Sequence, residues 1–210
     1  MTAWQTLPGD REAPSMRGNQ MVMTRDDFME EACRLAKESV DNNWGGPFGA
    51  VITRNGEIVA RGQNRVLLTG DPTAHAEVEA IRKASTLLNP EAPSISPEHL
   101  NEFTLEFIPR QAGSPDSVKE RARMLIGHEI YISGMPCPMC MSAIYWSRID
   151  GVYFGNDLDE TSKIGFSDAF QYEDFAKPYT QRRITVEQFR PDLAGVAYKA
   201  WSQKADKHPY

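Results

Sequence analysis

Two short segments of the chain carry the residue types that could perform chemistry. The first is Thr73-Ala74-His75-Ala76-Glu77, and the second is Pro136-Cys137-Pro138-Met139-Cys140. Imidazole nitrogen and thiolate sulfur are ligands that zinc prefers, and three protein ligands leave a fourth position for water, as in catalytic zinc sites. We therefore predict that His75, Cys137 and Cys140 bind one zinc ion per subunit.

The spacing within each segment favours this chemistry. Two cysteines separated by two residues at the start of a helix place both sulfurs on one side of the turn, where unpaired N–H groups favour thiolates. Bound zinc lowers the pKa of water to about 7. Glu77, two residues beyond His75, would lie beside the metal without binding it. In a substrate that carries an amino group on a nitrogen-containing ring, Glu77 could move the water proton to a ring nitrogen and help ammonia leave. His-x-Glu followed by Pro-Cys-x-x-Cys is the signature of zinc nucleobase deaminases.

Each of these residues also has a simpler interpretation when it is taken alone. A Cys-x-x-Cys pair can be a redox pair or half of a structural zinc site, and Glu77 could be a solvated helix carboxylate. His75 could be an ordinary, partly buried histidine. The third cysteine, Cys33, is predicted to pack on the apolar face of the first helix. The conjunction of the two segments favours a catalytic zinc site over these alternatives.

The elements that must position these residues alternate between strand and helix patterns. Asn55-Gly56 predicts a hairpin turn between strands 50–54 and 58–64. Further strands are predicted at 129–133, 151–155 and 184–187, and helices at 24–43, 73–88, 137–147, 156–163 and 191–205. Tyr198 and Trp201 are predicted to anchor the last helix. The pattern predicts an α/β fold, a three-layer α/β/α domain around a mixed sheet of about five strands.

The organisation of the chain follows from composition. Residues 1–23 are predicted to form a weakly ordered arm before a single domain over 24–210, which ends in a helix and a tail. A loop-rich insertion is expected at about 89–128, because residues 89–117 contain five prolines.

Charge and hydropathy exclude some classes of function. The net charge of −6 and the lack of a Lys/Arg run disfavour a nucleic-acid binder. The sequence has no apolar stretch long enough for a membrane span, and its first residues lack the charged start and apolar run of a signal peptide, so secretion is not expected. Three cysteines do not form a disulfide framework, so a reduced, cytoplasmic protein is expected.

Several segments together resemble the cytidine and deoxycytidylate deaminase superfamily, and within it the bacterial guanine deaminases. The metal motifs at 72–78, 136–140 and 143–148 are similar to those of the superfamily. The segments 45–50, 62–64, 164–168 and 201–210 agree with the resemblance, and the set of Asn64, Asp168 and Tyr210 points to guanine. The resemblance extends from about 28 to 210, broken by the insertion.

This resemblance implies hydrolysis of guanine to xanthine and ammonia. It implies that Asn64 bonds the carbonyl or ring-nitrogen edge of the purine, and that Asp168 accepts from its N–H groups and assists departure of the amine. It further implies contacts of the substrate with Phe48, Ala76 and Trp146. Tyr210 would reach the substrate pocket of a partner subunit, which implies a homodimer with exchanged C-terminal segments.

Other functions remain open on the sequence alone. The substrate could be another amino-heterocycle or nucleoside, such as guanosine, isocytosine, cytosine or a triazine. Editing of adenosine in tRNA requires a grip on phosphates, which fits poorly with the acidic charge. A non-catalytic module with structural zinc would leave Glu77 without a purpose.

Overall fold

The computed structural model describes residues 23–89, 124–205 and 207, with the backbone of 16–17 and 20–21. Two short strands, β1 (Met16–Arg17) and β2 (Gln20–Met21), pair in antiparallel fashion. Most of the predicted arm, the insertion after Asn89 up to 123, and Tyr210 lie outside the described residues.

A mixed sheet of four strands forms the centre of the domain. Its strands are β3 (Gly49–Arg54), β4 (Glu57–Gln63), β5 (Glu129–Gly134) and β6 (Gly151–Asn156), in the order β4-β3-β5-β6. β3 runs antiparallel to β4 and β5, and β5 runs parallel to β6. The predicted Asn55-Gly56 hairpin is confirmed, with positive φ at both residues as a tight hairpin turn requires.

The prediction of about five strands is wrong for the described part of the chain. The segment 184–187, predicted as a strand, has irregular backbone, and its Ile184 is 69% exposed. A strand is stabilised by pairing with a neighbour and by a buried face. This four-residue segment has neither among the described residues.

One face of the sheet is covered by α1 (Arg25–Asp41). Thr24 caps this helix in a capping box with Asp27. Its buried face carries Phe28, Ala32 and Leu35, which pack against Val51 and Tyr131. Cys33 follows Ala32 by one residue, which rotates it away from this face by about 100°. It is exposed, so the prediction that Cys33 packs on the apolar face of this helix is wrong.

The opposite face is covered by α3 (Ala76–Leu88) and α4 (Pro138–Trp146), and the short α2 (Val66–Thr69) follows β4. Alternation along β3 and β5 sends Ala50, Ile52, Ile130 and Ile132 to this side, where they pack with alanines of α3 and with Ile144. The three-layer α/β/α architecture is therefore confirmed.

The C-terminal part adds three helices, α5 (Leu158–Lys163), α6 (Ala169–Phe175) and α7 (Pro191–Gln203), and a 3-10 turn at Tyr179–Gln181. α7 buries none of its residues within the chain. Tyr198 is 81% exposed and Trp201 47% exposed, so the prediction that they anchor the helix is wrong within one subunit. No helix among the described residues is long and apolar enough to cross a membrane.

Candidate active site

The start of α3 and the start of α4 meet at one end of the sheet. The turn before α3 is fixed by two hydrogen bonds, from Thr73 N to Asp71 Oδ1 at 2.7 Å and from His75 N to Thr73 O at 2.7 Å. As a result α3 begins at Ala76, three residues later than predicted, and His75 is the N-cap with extended backbone. Cys137 is likewise the N-cap of α4.

His75, Cys137 and Cys140 converge on one point. Their ligand atoms all lie within 4.8 Å of one another. His75 Nδ1 is 3.7 Å from Cys137 Sγ and 3.5 Å from Cys140 Sγ. Tetrahedral zinc, with bonds of about 2.05 Å to nitrogen and 2.3 Å to sulfur, requires about 3.6 Å between these atoms. The donor set and its spacing therefore fit zinc.

The protonation states of His75, Cys137 and Cys140 depend on one another. A hydrogen bond from Cys140 lowers the pKa of Cys137 to about 4, with a further contribution from His75. The same Cys137–Cys140 bond raises the pKa of Cys140, and burial adds to this effect. The bond with Cys137 also raises the pKa of His75. A thiolate beside an imidazole is the arrangement that attracts a divalent metal ion.

Glu77 lies in the first turn of α3, next to this group. It is buried, with 5% of its surface exposed. Burial raises the pKa of its carboxyl group, and the nearby Cys137 thiolate raises it further. Hydrogen bonds to the Glu77 backbone and to Cys140 lower this pKa, but the net effect is a raised pKa. A buried carboxyl with a raised pKa can both take and give a proton near neutral pH.

Asn64, directly after β4, is buried with a fixed orientation. Its side-chain oxygen accepts hydrogen bonds from Gly46 N at 3.3 Å and Val66 N at 3.2 Å. Because backbone N–H groups can only donate, these two bonds assign the oxygen to this side. The Asn64 amide nitrogen is then the atom available to donate to a ligand.

Asp168 lies directly before α6, half-buried and within electrostatic range of the metal-binding group. Burial raises the pKa of its carboxyl group, and the Cys137 thiolate adds to this, whereas His75 lowers it. The structure therefore brings Asp168 to the site, although it is 91 residues from Glu77 in sequence.

Two aromatic residues with no predicted role also belong to this region. Phe166 meets the predicted Phe48 edge to face, with ring centroids 5.1 Å apart. Tyr172 donates a hydrogen bond to the carbonyl oxygen of Pro136 at 2.7 Å. The only sequence signal for Tyr172 is its position four residues after Asp168, which places both on one side of a helix.

Three predicted substrate contacts remain, of which Ala76 and Trp146 belong to the described residues and Tyr210 does not. Ala76 is fully buried and its side chain packs in the core, so only its backbone could meet a ligand. Trp146 is the last residue of α4 and is 63% exposed. It lies nine residues beyond Cys137, or roughly 13 Å along the helix. The roles of Ala76, Trp146 and Tyr210 stay predictions.

Comparison with known proteins adds to this geometry. The family described as "Cytidine and deoxycytidylate deaminase zinc-binding region" matches residues 23–156. Guanine deaminase of Bacillus subtilis (strain 168) is 35% identical over 188 residues, which cover 90% of this chain and 100% of that protein.

Two further similarities extend this comparison. A crystal structure of guanine deaminase from Bacillus subtilis has a TM-score of 0.71 and 35% identity, over 90% of this chain and 99% of the other. The tRNA-specific adenosine deaminase of Aquifex aeolicus (strain VF5) is 31% identical over 132 residues, which cover 63% of this chain and 66% of that protein.

Proposed function

Because the chain belongs to the cytidine and deoxycytidylate deaminase family and has one zinc site, we propose that it hydrolyses guanine to xanthine and ammonia. One observation carries this proposal. Three zinc-binding side chains converge with the correct spacing, and a buried carboxyl group that does not bind the metal, Glu77, lies beside them. A structural zinc site has no use for such a group.

Three side chains would hold the metal, and one would move protons. We propose that His75, Cys137 and Cys140 bind zinc, which supplies the Lewis acidity that generates a nucleophile from water at neutral pH. Glu77 takes a proton from the attacking water and passes it to N3 of the ring as the C2–O bond forms. It then takes the remaining proton of the C2 hydroxyl group and gives it to the 2-amino group, so that C2=O forms as the C2–N bond breaks and ammonia leaves. The raised pKa of Glu77 suits both directions of transfer.

The choice of guanine is supported by donors and acceptors that match its edges. The Asn64 amide nitrogen is free to donate to the carbonyl or ring nitrogen of a purine. The Asp168 carboxylate can accept from the ring N–H and the exocyclic amino group, and we assign it a second role in departure of the amine. The Phe48–Phe166 pair offers an apolar wall for a planar ring. The guanine deaminase of Bacillus subtilis, similar along its whole length, supports the same substrate.

Ammonia release tests this proposal directly. The zinc-loaded chain is assayed with guanine, guanosine, cytosine, isocytosine, a triazine and adenosine in tRNA, next to Glu77→Gln. We expect guanine to be the preferred substrate, and Glu77→Gln to lower kcat by about 10²–10⁴-fold while zinc is retained. Glu79→Gln is the matched control, because Glu79 lies on the same helix and pairs with Arg82 at its surface. Preference for another base would reject the substrate, and full activity of Glu77→Gln would reject the mechanism.

We further propose a cytoplasmic homodimer in which the C-terminal segments are exchanged. The reduced state of a cytoplasmic protein would keep Cys137 and Cys140 available as free thiols. α7 has 13 residues and buries none of them, and it exposes Leu193, Val196 and Trp201. A helix of this length is marginal unless its apolar side is covered. In the exchanged dimer, apolar side chains of the second copy would cover the apolar side of α7.

Light scattering and a mixed-subunit assay test the exchange. The chain should have the mass of a dimer, and a chain ending at 188 should be a less stable monomer. Deletion of Tyr210 should raise KM for guanine without changing the mass. In the mixed-subunit assay, one variant lacks Tyr210 and the other carries Glu77→Gln. Mixing the two should restore activity, because a mixed dimer has one site with both an intact Glu77 and the partner's Tyr210. A monomeric full chain, or no gain on mixing, would contradict the exchanged dimer.

A further inference from the structure

α6 and the loop after it form a small unit with its own internal bonds. Asp174 is buried and accepts hydrogen bonds from Arg183 N at 3.1 Å and from Lys177 Nζ at 3.2 Å. The Arg183 guanidinium also lies 4.3 Å from the ring centre of Phe170. These contacts join α6 to residues 177–183 and not to the sheet, so they do not fix Asp168 relative to the metal-binding group.

Tyr172 links this unit to Pro136, the residue before the proposed zinc ligand Cys137. Its hydroxyl donates to the carbonyl oxygen of Pro136, 2.7 Å away and 36 residues earlier in the sequence. Pro136 is fully buried, and its carbonyl group belongs to the peptide that leads into Cys137. A buried carbonyl group requires a hydrogen-bond partner, and Tyr172 provides it.

The position of Tyr172 on α6 connects this bond with Asp168. Residues four apart lie one turn apart on the same side of a helix. Asp168 is within electrostatic range of Cys137 and His75, and Tyr172 is within range of Asp168, Cys137 and Cys140. The two side chains thus approach the same group from one helix.

We propose that Tyr172 is a positioning residue for the reaction, holding Asp168 at the substrate through its hydrogen bond to the Pro136 carbonyl. This inference rests on the proposed guanine deamination. Tyr172 itself would not touch the substrate. Its effect would arise because displacement of a reacting group by about 1 Å can lower a rate by a large factor.

A double-mutant cycle separates this role from a general structural one. We compare Tyr172→Phe, Asp168→Asn and the double variant with the wild-type chain, and measure kcat/KM for ammonia release, zinc per chain and Tm. Tyr153→Phe is the matched control, because it also removes a tyrosine hydroxyl bond, to Glu129 Oε1 at 3.2 Å, at the opposite end of β5 and β6.

Tyr172→Phe should lower kcat/KM on the order of tenfold and keep one zinc per chain, while Tyr153→Phe should have wild-type kinetics. In the Asp168→Asn background, the same tyrosine change should have an effect of less than about threefold, because the group it positions is gone.

Three results would overturn the inference. If Tyr172→Phe has the kcat/KM of the wild type, the Tyr172 hydroxyl does not contribute to the reaction. An equal loss in both backgrounds would mean that Tyr172 acts independently of Asp168. Loss of zinc from Tyr172→Phe would mean that the tyrosine holds the metal loop instead. A wild-type chain with no activity on any base would reject the proposed function and this inference together, whereas an active chain with unaffected Tyr172→Phe rejects the inference alone.

Discussion

Gly62 on β4 lies directly beneath the first turn of α3, and we predict that Gly62→Ala disrupts the zinc site. A Cβ atom at this position would lie 1.9 Å from the carbonyl oxygen of Ala76 and 2.6 Å from the backbone nitrogen of Ala80. Both are backbone atoms of the helix that carries Glu77 and follows His75. Neither can be moved by a side-chain rotation.

The displacement that the methyl group demands can be estimated from these distances. The Ala76 oxygen would have to retreat by about 1.5 Å to reach the 3.4 Å of ordinary van der Waals contact. Metal–ligand distances tolerate only about 0.2 Å. The cysteines lie on α4 after β5, so a shift of α3 away from β4 changes the distance from His75 to both sulfurs. Zinc binding and the placement of Glu77 should be lost together.

The assay combines zinc content, ammonia release and thermal unfolding. We expect Gly62→Ala to retain less than half of the zinc at micromolar protein and to lose on the order of 10²-fold or more in kcat/KM. Overpacking should also cost about 1–3 kcal/mol, which for a chain of this size lowers Tm by roughly 2–12 °C.

Gly49→Ala is the matched control for this prediction. Its Cβ atom would lie 2.2 Å from Ala32 O and 2.5 Å from Ala36 N, so the same collision falls on α1, which carries none of the proposed zinc ligands. The Gly49→Ala variant should be destabilised to a similar extent as Gly62→Ala and should still bind zinc. A Gly62→Ala variant with full zinc and wild-type kinetics would refute the reasoning, and so would equal zinc loss in both variants.

Two further predictions concern Asn64 and Glu31. Asn64→Asp keeps an oxygen for the two backbone N–H groups but replaces the outward amide donor with an acceptor. KM for guanine should therefore rise about 10–100-fold with little change in Tm. An unchanged KM would contradict the role of Asn64 as a donor. Hydrogen bonds from Arg34 and then Arg61 lower the pKa of Glu31 to about 2. A lowered pKa stabilises the fold above the ordinary value of 4.5, and this contribution is lost as pH falls through about 2. Because both arginines are about half exposed, we expect only about 1–2 kcal/mol. Glu31→Gln should therefore unfold more easily than the wild type in urea at pH 7, and this difference should shrink as the pH is lowered toward 2; a constant difference would contradict the assignment.

Much of the fold and the metal site could be predicted because the signals are local. The helical spacing of Phe28, Ala32 and Leu35, and the Asn55-Gly56 turn, depend on residues only a few positions apart. The two metal motifs are equally local, because each places its ligands at the start of a helix. Such patterns define helices, turns and candidate ligands before any tertiary contact is known.

Other features could not be predicted because they depend on which distant segments meet. The outward amide nitrogen of Asn64 is set by the Gly46 N–H, 18 residues away, and the bond from Tyr172 to Pro136 spans 36 residues. Exposure of Cys33 and Trp201 likewise depends on what covers each helix.

The amino-acid sequence by itself determined the chemistry available to this protein: a histidine, two cysteines and a glutamate at the starts of two helices. The tertiary structure alone decided that these helices begin at the same end of one sheet, and that Asp168, Phe166 and Tyr172 approach from a later segment. The physical reason is that residue type and spacing fix what a side chain can bind, whereas strand pairing and helix packing fix what it can reach.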